Sequence, residues 1–365
     1  MALDELMSTP LDFAVFALPT YFADRDGPQG PYMRKFVDFL ASAEDLGYDG
    51  VWANEHHFHP YGGFIPSPPV MLAALAQRTK RVRLGTSIMV LPLHQPHEIA
   101  EQLAMVDLMS GGRLELGVGR GFVAHDYEKL GIPVEEGQDR TVEALEVILK
   151  AWQRKPFSHV GKYFQYTDVE VWPFPEQEPH PPVWMAATTN PKSFELVGTL
   201  GLDLLTVAYL RPIHDLAASV GIYRDGLAAA GHDGSGRRVG THYQVVVSED
   251  GAEARRIAHE ALGRYAQQLV SLQKMATTAT ARPELQAVTQ LSIEQAVEEG
   301  RILAGTPDEC VSIIERARDV IGITSVDCTF TFGSIDLETA RRSMHLLATQ
   351  VIPRLKAPTV AAGSR

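Results

Sequence analysis

Three short stretches concentrate residue types that could do chemistry. Glu55-His56-His57-Phe58-His59 puts a carboxylate beside three imidazoles, groups able to exchange protons near neutral pH. Gly117-Val118-Gly119-Arg120-Gly121 combines glycines, which let backbone approach a ligand closely and tolerate φ > 0, with an arginine whose planar fork suits a phosphate. Thr188-Thr189-Asn190-Pro191, with Ser193 one turn further on, sets hydroxyl and amide donors beside the unsatisfied N–H groups of a helix start. Each stretch also has a plainer reading. Arg120 can be solvated in a tight turn, Thr189 and Asn190 can simply cap a helix, and His56 and His57 can bond to loop carbonyls.

Other chemistries find less support. His56 and His57 are adjacent on a strand end and so point to opposite faces. No close carboxylate or cysteine pattern completes a zinc-type shell, and no metal is expected. Gly117, Gly119 and Gly121 are spaced two apart, which misplaces the third glycine for a dinucleotide fingerprint. Neither a phosphate-binding loop ending in Gly-Lys-Ser/Thr nor a Gly-X-Ser-X-Gly elbow occurs. A formal charge of −12 over 365 residues argues against general nucleic-acid binding while leaving room for a small anion held by a local arginine. Two cysteines, Cys310 and Cys328, provide no disulfide framework. Met1 to Pro10 lack the pattern of a signal peptide, and no apolar run is long enough for a membrane span. A soluble cytoplasmic protein is expected.

The elements that would position these residues repeat as strand, loop and helix. Leu11 to Leu18, Tyr48 to Ala53, Val82 to Leu91, Leu114 to Val118, Val183 to Ala187, Asp203 to Val207, Thr241 to Ser248 and Val326 to Phe330 read as strands. Several are apolar along their whole length, as a parallel sheet covered by helices requires. Between them lie helical patterns such as Tyr32 to Leu46 and Pro96 to Met109, with the stripe of apolar residues expected of a half-buried helix. Thr306-Pro307-Asp308-Glu309 has the chemistry of a capped helix start. Lys155 to Pro182 reads as an excursion beside the sheet, and Gly251 to Gly300 as a mostly helical insertion. Eight strands, each followed by helical material, predict a single α/β domain over 1–365: a (β/α)8 TIM barrel with an extended helical insertion late in the chain. A doubly wound sheet accounts for six strands and leaves the last two without a place. In a barrel, all three stretches fall at carboxyl ends of strands, where ligands bind.

Taken together, Glu55-His56-His57-Phe58, the strand Gly85 to Pro92, His94 to Pro96 and Asp107 to Gly121 resemble the bacterial luciferase-like flavin monooxygenases. The similarity is dense from Leu11 to Gly131, returns at Val183 to Val207 and thins after Tyr209. It implies a barrel binding reduced FMN, or in some branches the deazaflavin F420, and commonly a homodimer. By position, Arg120 is similar to the arginine on the flavin phosphate. Thr189, Asn190 and Ser193 match the phosphate-binding turn and helix start, and His56 matches the histidine beside the flavin ring. A non-prolyl cis peptide is implied at Ser87-Ile88. The expected cofactor-binding set is Ser87, Ile88, Gly119, Arg120, Gly121, Phe122, Thr189, Asn190 and Ser193, with His56 catalytic. The chain departs from luciferase at Gly119, where a reactive cysteine stands there, and at Thr189, where a glutamate stands. Light emission is therefore not expected, and the poorly matching 251–300 carries over no substrate range.

The implied reaction is oxygenation of a small organic substrate by O2 through a C4a-peroxyflavin. With no nicotinamide motif, a separate flavin reductase is the expected source of reduced FMN. Phe58, Tyr61, Phe64, Phe122 and Tyr127 are candidates for a wall that excludes water. The alternatives are an F420-dependent hydride-transferring oxidoreductase and a non-catalytic flavin-binding protein.

Overall fold

The computed structural model describes residues 10–59, 61–276 and 291–356. Eight strands form its centre: β1 Asp12–Ala17, β2 Gly50–Ala53, β3 Arg83–Thr86, β4 Leu114–Gly119, β5 Val183–Ala186, β6 Asp203–Val207, β7 Val239–Val247 and β8 Ser325–Thr329. Each pairs in parallel with its successor. β8 also pairs with β1, setting Val15 opposite Cys328 on one side and Val51 on the other. That last pairing closes the barrel and removes the edges a doubly wound sheet would keep. β4 and β7 are buried at every residue, because helices cover the outside while side chains fill the inside.

The interior is packed in its lower half. Trp52 and Trp184 meet edge to face, 5.6 Å between centroids, with Ala14 and Leu205 beside them. Below, Glu115 accepts from Trp184 Nε1 and pairs with Arg83 and Arg238, and Arg238 also holds Asp203 at 2.8 Å. With this end filled, the barrel's main cavity lies toward the carboxyl ends. Gly117 shows how tightly β3 and β4 meet. Thr86 Oγ1 donates to its carbonyl (2.7 Å) and accepts from its N–H (2.9 Å), and a Cβ there would lie 2.0 Å from Thr86 O.

The third strand differs from the sequence reading. Val82 to Leu91 is not one strand: β3 ends at Thr86, the Ser87–Ile88 peptide is cis, and Met89–Val90 resumes pairing with β4 before a 3₁₀ turn at Leu91–Leu93. A continuous apolar run gives no periodic sign of such a break. The expected excursion is an antiparallel hairpin, Phe157–Val160 against Gln165–Val169, separate from the barrel sheet. Within 251–300, the helices Gly251–Met275 and Ile293–Glu298 bear out the helical reading. Residues 277–290 lie outside the described part, as do residues 1–9, on which the signal-peptide reading rests. A short strand, Leu303–Gly305, follows and extends the far end of β7. The helix Pro307–Ile321 opens with the expected box, Thr306 and Glu309 each satisfying the other's backbone N–H. The described chain ends in helical turns from Leu337 to Lys356. Among the described residues no helix is long and apolar enough to cross a membrane.

Candidate active site

The loops at the carboxyl ends of the strands enclose a cavity of about 410 Å³. Of the sequence-predicted residues, His56, Ser87, Ile88, Arg120, Gly121, Phe122, Thr189, Asn190 and Ser193 all line it. Gly119 is not among the lining residues. It faces the barrel interior directly behind that lining, with Ile88 Cδ1 2.4 Å and Ala186 Cβ 3.4 Å from the position its Cβ would take.

At one end, donors converge. Asn190 caps the helix Pro191–Thr199, its side-chain oxygen accepting from Lys192 N at 3.1 Å. The capping reading and the ligand reading are therefore compatible, since the cap uses the oxygen and leaves the NH2 group. Arg211 Nη2 donates to Thr188 O at 2.8 Å and ties this turn to the loop after β6. Across the gap, Gly121 has φ 69°, and a Cβ there would meet Val90 Cγ1 at 2.7 Å, so a side chain is excluded where the backbone bends beneath Arg120. Arg120 is half-buried, and its carbonyl accepts from Tyr127 Oη. The Arg120 guanidinium, the Thr189 and Ser193 hydroxyls and the Asn190 NH2 group have no side-chain partner among the described residues. A cluster of unspent donors at a helix N-terminus fits a phosphate.

His56 stands on the loop after β2. Its ring lies 4.8 Å from Tyr61, 5.5 Å from His59 and 5.9 Å from Phe122, centre to centre. Burial pushes its pKa down to about 3, with His59 and His57 acting in the same direction and Glu55 opposing. The ring is therefore neutral near pH 7. Glu55 lies behind it. One oxygen takes hydrogen bonds from His57 Nε2 (2.8 Å) and His94 Nε2 (2.6 Å), the other from Val90 N (2.8 Å). Burial alone would raise the Glu55 pKa, but these bonds outweigh it and hold the group at about 2. His57 is raised by the same contact with Glu55, against the effect of burial.

The reading that no close carboxylate pattern completes a shell around the histidines missed two groupings. Chain distance hid His94 and Asp126. Glu55, His57 and His94 form one cluster of metal-ligating residue types; His56, His59 and Asp126 form another. Hydrogen bonds among its own members account for the first cluster.

The expected aromatic wall is only partly right. Tyr61, Phe122 and Tyr127 line the cavity. Phe58 has φ 60° and is 53% exposed, and Phe64 packs on Tyr21 and Tyr32, 4.5 and 5.4 Å away. In their place stand residues the sequence reading missed: Tyr209 after β6, His242 on β7 and Tyr265 on the insertion helix. Tyr265 reaches across to share a 2.7 Å hydrogen bond with Tyr61. His242, its pKa pushed down to about 3 by burial, bonds Thr329 Oγ1 at 2.5 Å. Asp327 on β8 closes the floor, its pKa pushed up to about 7, chiefly by burial. Period-two strand patterns mark such inward residues only when the barrel's inside and outside differ in polarity, and here both are largely apolar.

Residues 11–324 match the family described as luciferase-like monooxygenase. Among solved structures, the fold is similar to that of monooxygenase RslO1 from Streptomyces bottropensis, with a TM-score of 0.84, 30% identity and coverage of 94% of this chain and 99% of that one. It is also similar in fold to the oxygenating constituent of 3,6-diketocamphane monooxygenase from Pseudomonas putida, in complex with FMN, with a TM-score of 0.77, 21% identity and coverage of 94% and 98%. A relative in sequence, 4-hydroxyprotoasukamycin monooxygenase of Streptomyces nodosus subsp. asukaensis, is 27% identical over 94% of this chain and 92% of its own. The strand-end motifs, the closed barrel and a match running over most of the sequence lead to one conclusion: the chain belongs to the bacterial luciferase-like family of flavin-dependent monooxygenases.

Proposed function

We propose that the protein is the oxygenase component of a two-component system, which takes reduced FMN from a separate reductase and uses O2 to oxygenate a small organic substrate. The observation that carries this reading is the set of unspent donors on Arg120, Thr189, Asn190 and Ser193 at one end of a cavity whose other end holds a neutral, half-buried His56. When bound, reduced FMN supplies the electrons that activate oxygen. Arg120 and the helix start at Asn190 grip the phosphate. Ser87, Ile88, Gly121 and Phe122 shape the bed for the ring. Tyr61, Tyr209 and Tyr265 keep bulk water from the reacting centre. His56 offers a lone pair, because burial keeps it unprotonated, and so can accept a proton at the cavity and return it. Gly119 backs that bed, its Cβ position abutting Ile88 Cδ1.

A homodimer is also proposed. Val70 on the helix Pro68–Ala76 and Met105, Leu108 and Met109 on the neighbouring helix Pro96–Ser110 are exposed apolar residues, the kind of surface a second copy covers. Sedimentation velocity of wild type and Met105→Lys tests it: a dimer that the substitution splits supports the surface, and a wild-type monomer rejects it.

The reaction is tested by supplying reduced FMN through a purified flavin reductase under ¹⁸O2, with a panel of small aldehydes, ketones and aromatic compounds. The expected product carries one ¹⁸O atom. Oxygen-independent oxidation of an alcohol with F420 as hydride acceptor would replace this reading with the deazaflavin one.

A further inference from the structure

Beside His56 lies a buried pair that the reading above does not use. Asp126 is on the short helix Ala124–Leu130, just beyond the stretch that carries Arg120. Its carboxylate side chain is 6% exposed, and the His59 side chain facing it is fully buried, with Nε2 3.5 Å from Oδ1. Among the described residues neither ring nitrogen of His59 has a hydrogen-bond partner, nor does Asp126 Oδ1. Polar atoms buried without partners are rare and call for an explanation. These adjoin the proposed proton-handling residue: His56, His59 and Asp126 each bring a nitrogen or carboxylate oxygen within 4.8 Å of the others. The His59 ring packs 6.0 Å from Tyr61 and 5.5 Å from His56, beside both His56 and Asp126.

We propose that His59 and Asp126 are positioning residues forming a proton relay behind His56, and that they fix which nitrogen of His56 presents its lone pair to the cavity. This rests on the reading of His56 as the group that handles a proton. The transfer balances without electrons. His56 takes a proton on its cavity-facing nitrogen and gives its other N–H proton to His59. His59 passes its own N–H proton to Asp126. Both imidazoles end neutral and the carboxylate ends as the acid, and the return runs in reverse. The ionisable groups around His56 are Glu55, His57 and His59 on its own loop, with Tyr61 beyond them, Asp126 from the helix Ala124–Leu130, and Tyr265 behind Tyr61. Of these, Glu55 already accepts from His57, His94 and Val90, which leaves Asp126 as the free carboxylate.

The test uses ¹⁵N-histidine NMR on the full-length protein without flavin, comparing wild type with Asp126→Asn, Asp126→Glu and His59→Gln. Wild-type His56 is expected as one dominant tautomer. Asp126→Asn and His59→Gln are expected to mix the two forms, and Asp126→Glu to restore the wild-type pattern, with reduced-FMN affinity within about threefold of wild type throughout. A His56 signature unchanged in both Asp126→Asn and His59→Gln overturns the relay. So does stoichiometric uptake of Zn²⁺ by wild type that Asp126→Asn abolishes, since the cluster would then be a cation site. If the tautomer responds as expected but reduced FMN does not bind, the relay stands and the flavin reading falls.

Discussion

Arg120→Ala separates a phosphate grip from a solvated surface arginine. The side chain is half-buried at the end of β4, and Tyr127 bonds only its backbone carbonyl. Truncation therefore removes no intramolecular hydrogen bond of the guanidinium, and stability should move by no more than about 0.5 kcal/mol. Against a phosphate dianion, a charge-assisted hydrogen bond contributes about 1.5–3 kcal/mol, and a two-pronged contact sits at or above the top of that range. A loss of about 2–4 kcal/mol corresponds to a dissociation constant for reduced FMN weaker by roughly 30- to 700-fold. The assay is anaerobic titration of the wild type and variant with reduced FMN and, separately, with reduced riboflavin, which lacks the phosphate. The loss should be large for FMN and small for riboflavin. Equal losses for the two ligands, or a loss under about threefold for FMN, would refute the assignment of Arg120 to the phosphate.

Glu55→Gln should destabilise the fold at pH 7. A drop in the Glu55 pKa from 4.5 to about 2 corresponds to roughly 3 kcal/mol. Because the folded value is the lower one, this stability is present above pH 4.5 and is lost as pH falls toward 2. Urea denaturation should thus show a gap between wild type and variant at pH 7 that shrinks at pH 3; a constant gap would contradict the account. The share carried by His57, whose pKa is raised above 6.5, is full below that pH and declines as pH rises through its folded value. His56→Ala should leave reduced FMN bound while slowing substrate oxygenation by about 10²- to 10⁴-fold, and a parallel loss of binding would recast His56 as a flavin contact. Gly117→Ala should cost more than about 3 kcal/mol or prevent folding, because its Cβ would lie 2.0 Å from the Thr86 carbonyl oxygen; near-wild-type thermal stability would show that β3 and β4 can part.

The barrel was legible because each strand is bounded by turn residues and followed by a helix, and because apolar strands of this length have few other uses. The ligand end was legible for a related reason. Glycines, an arginine and helix-capping residues at strand ends form local patterns, and Arg120, Thr189, Asn190 and Ser193 did come together. What stayed hidden depends on contacts distant in sequence. Asp126 reaches His59 from a helix some seventy positions away, and Tyr265 reaches Tyr61 from the insertion. Phe58 and Phe64 were placed in the wall because aromatic side chains near the motif suit it, but a left-handed backbone turns one outward and Tyr21 and Tyr32 take up the other. Gly119 has no side chain to reach the cavity, and its Cβ position faces Ile88 and Ala186, which line it.

Anaerobic equilibrium binding of reduced FMN and of reduced F420, followed by admission of oxygen, tests the central claim most directly. The account predicts that reduced FMN binds in preference to F420 and that bound FMN reoxidises with kinetics distinct from those of the free flavin. Selective binding of F420, unreactive toward oxygen, would contradict it, as would failure of both cofactors to bind.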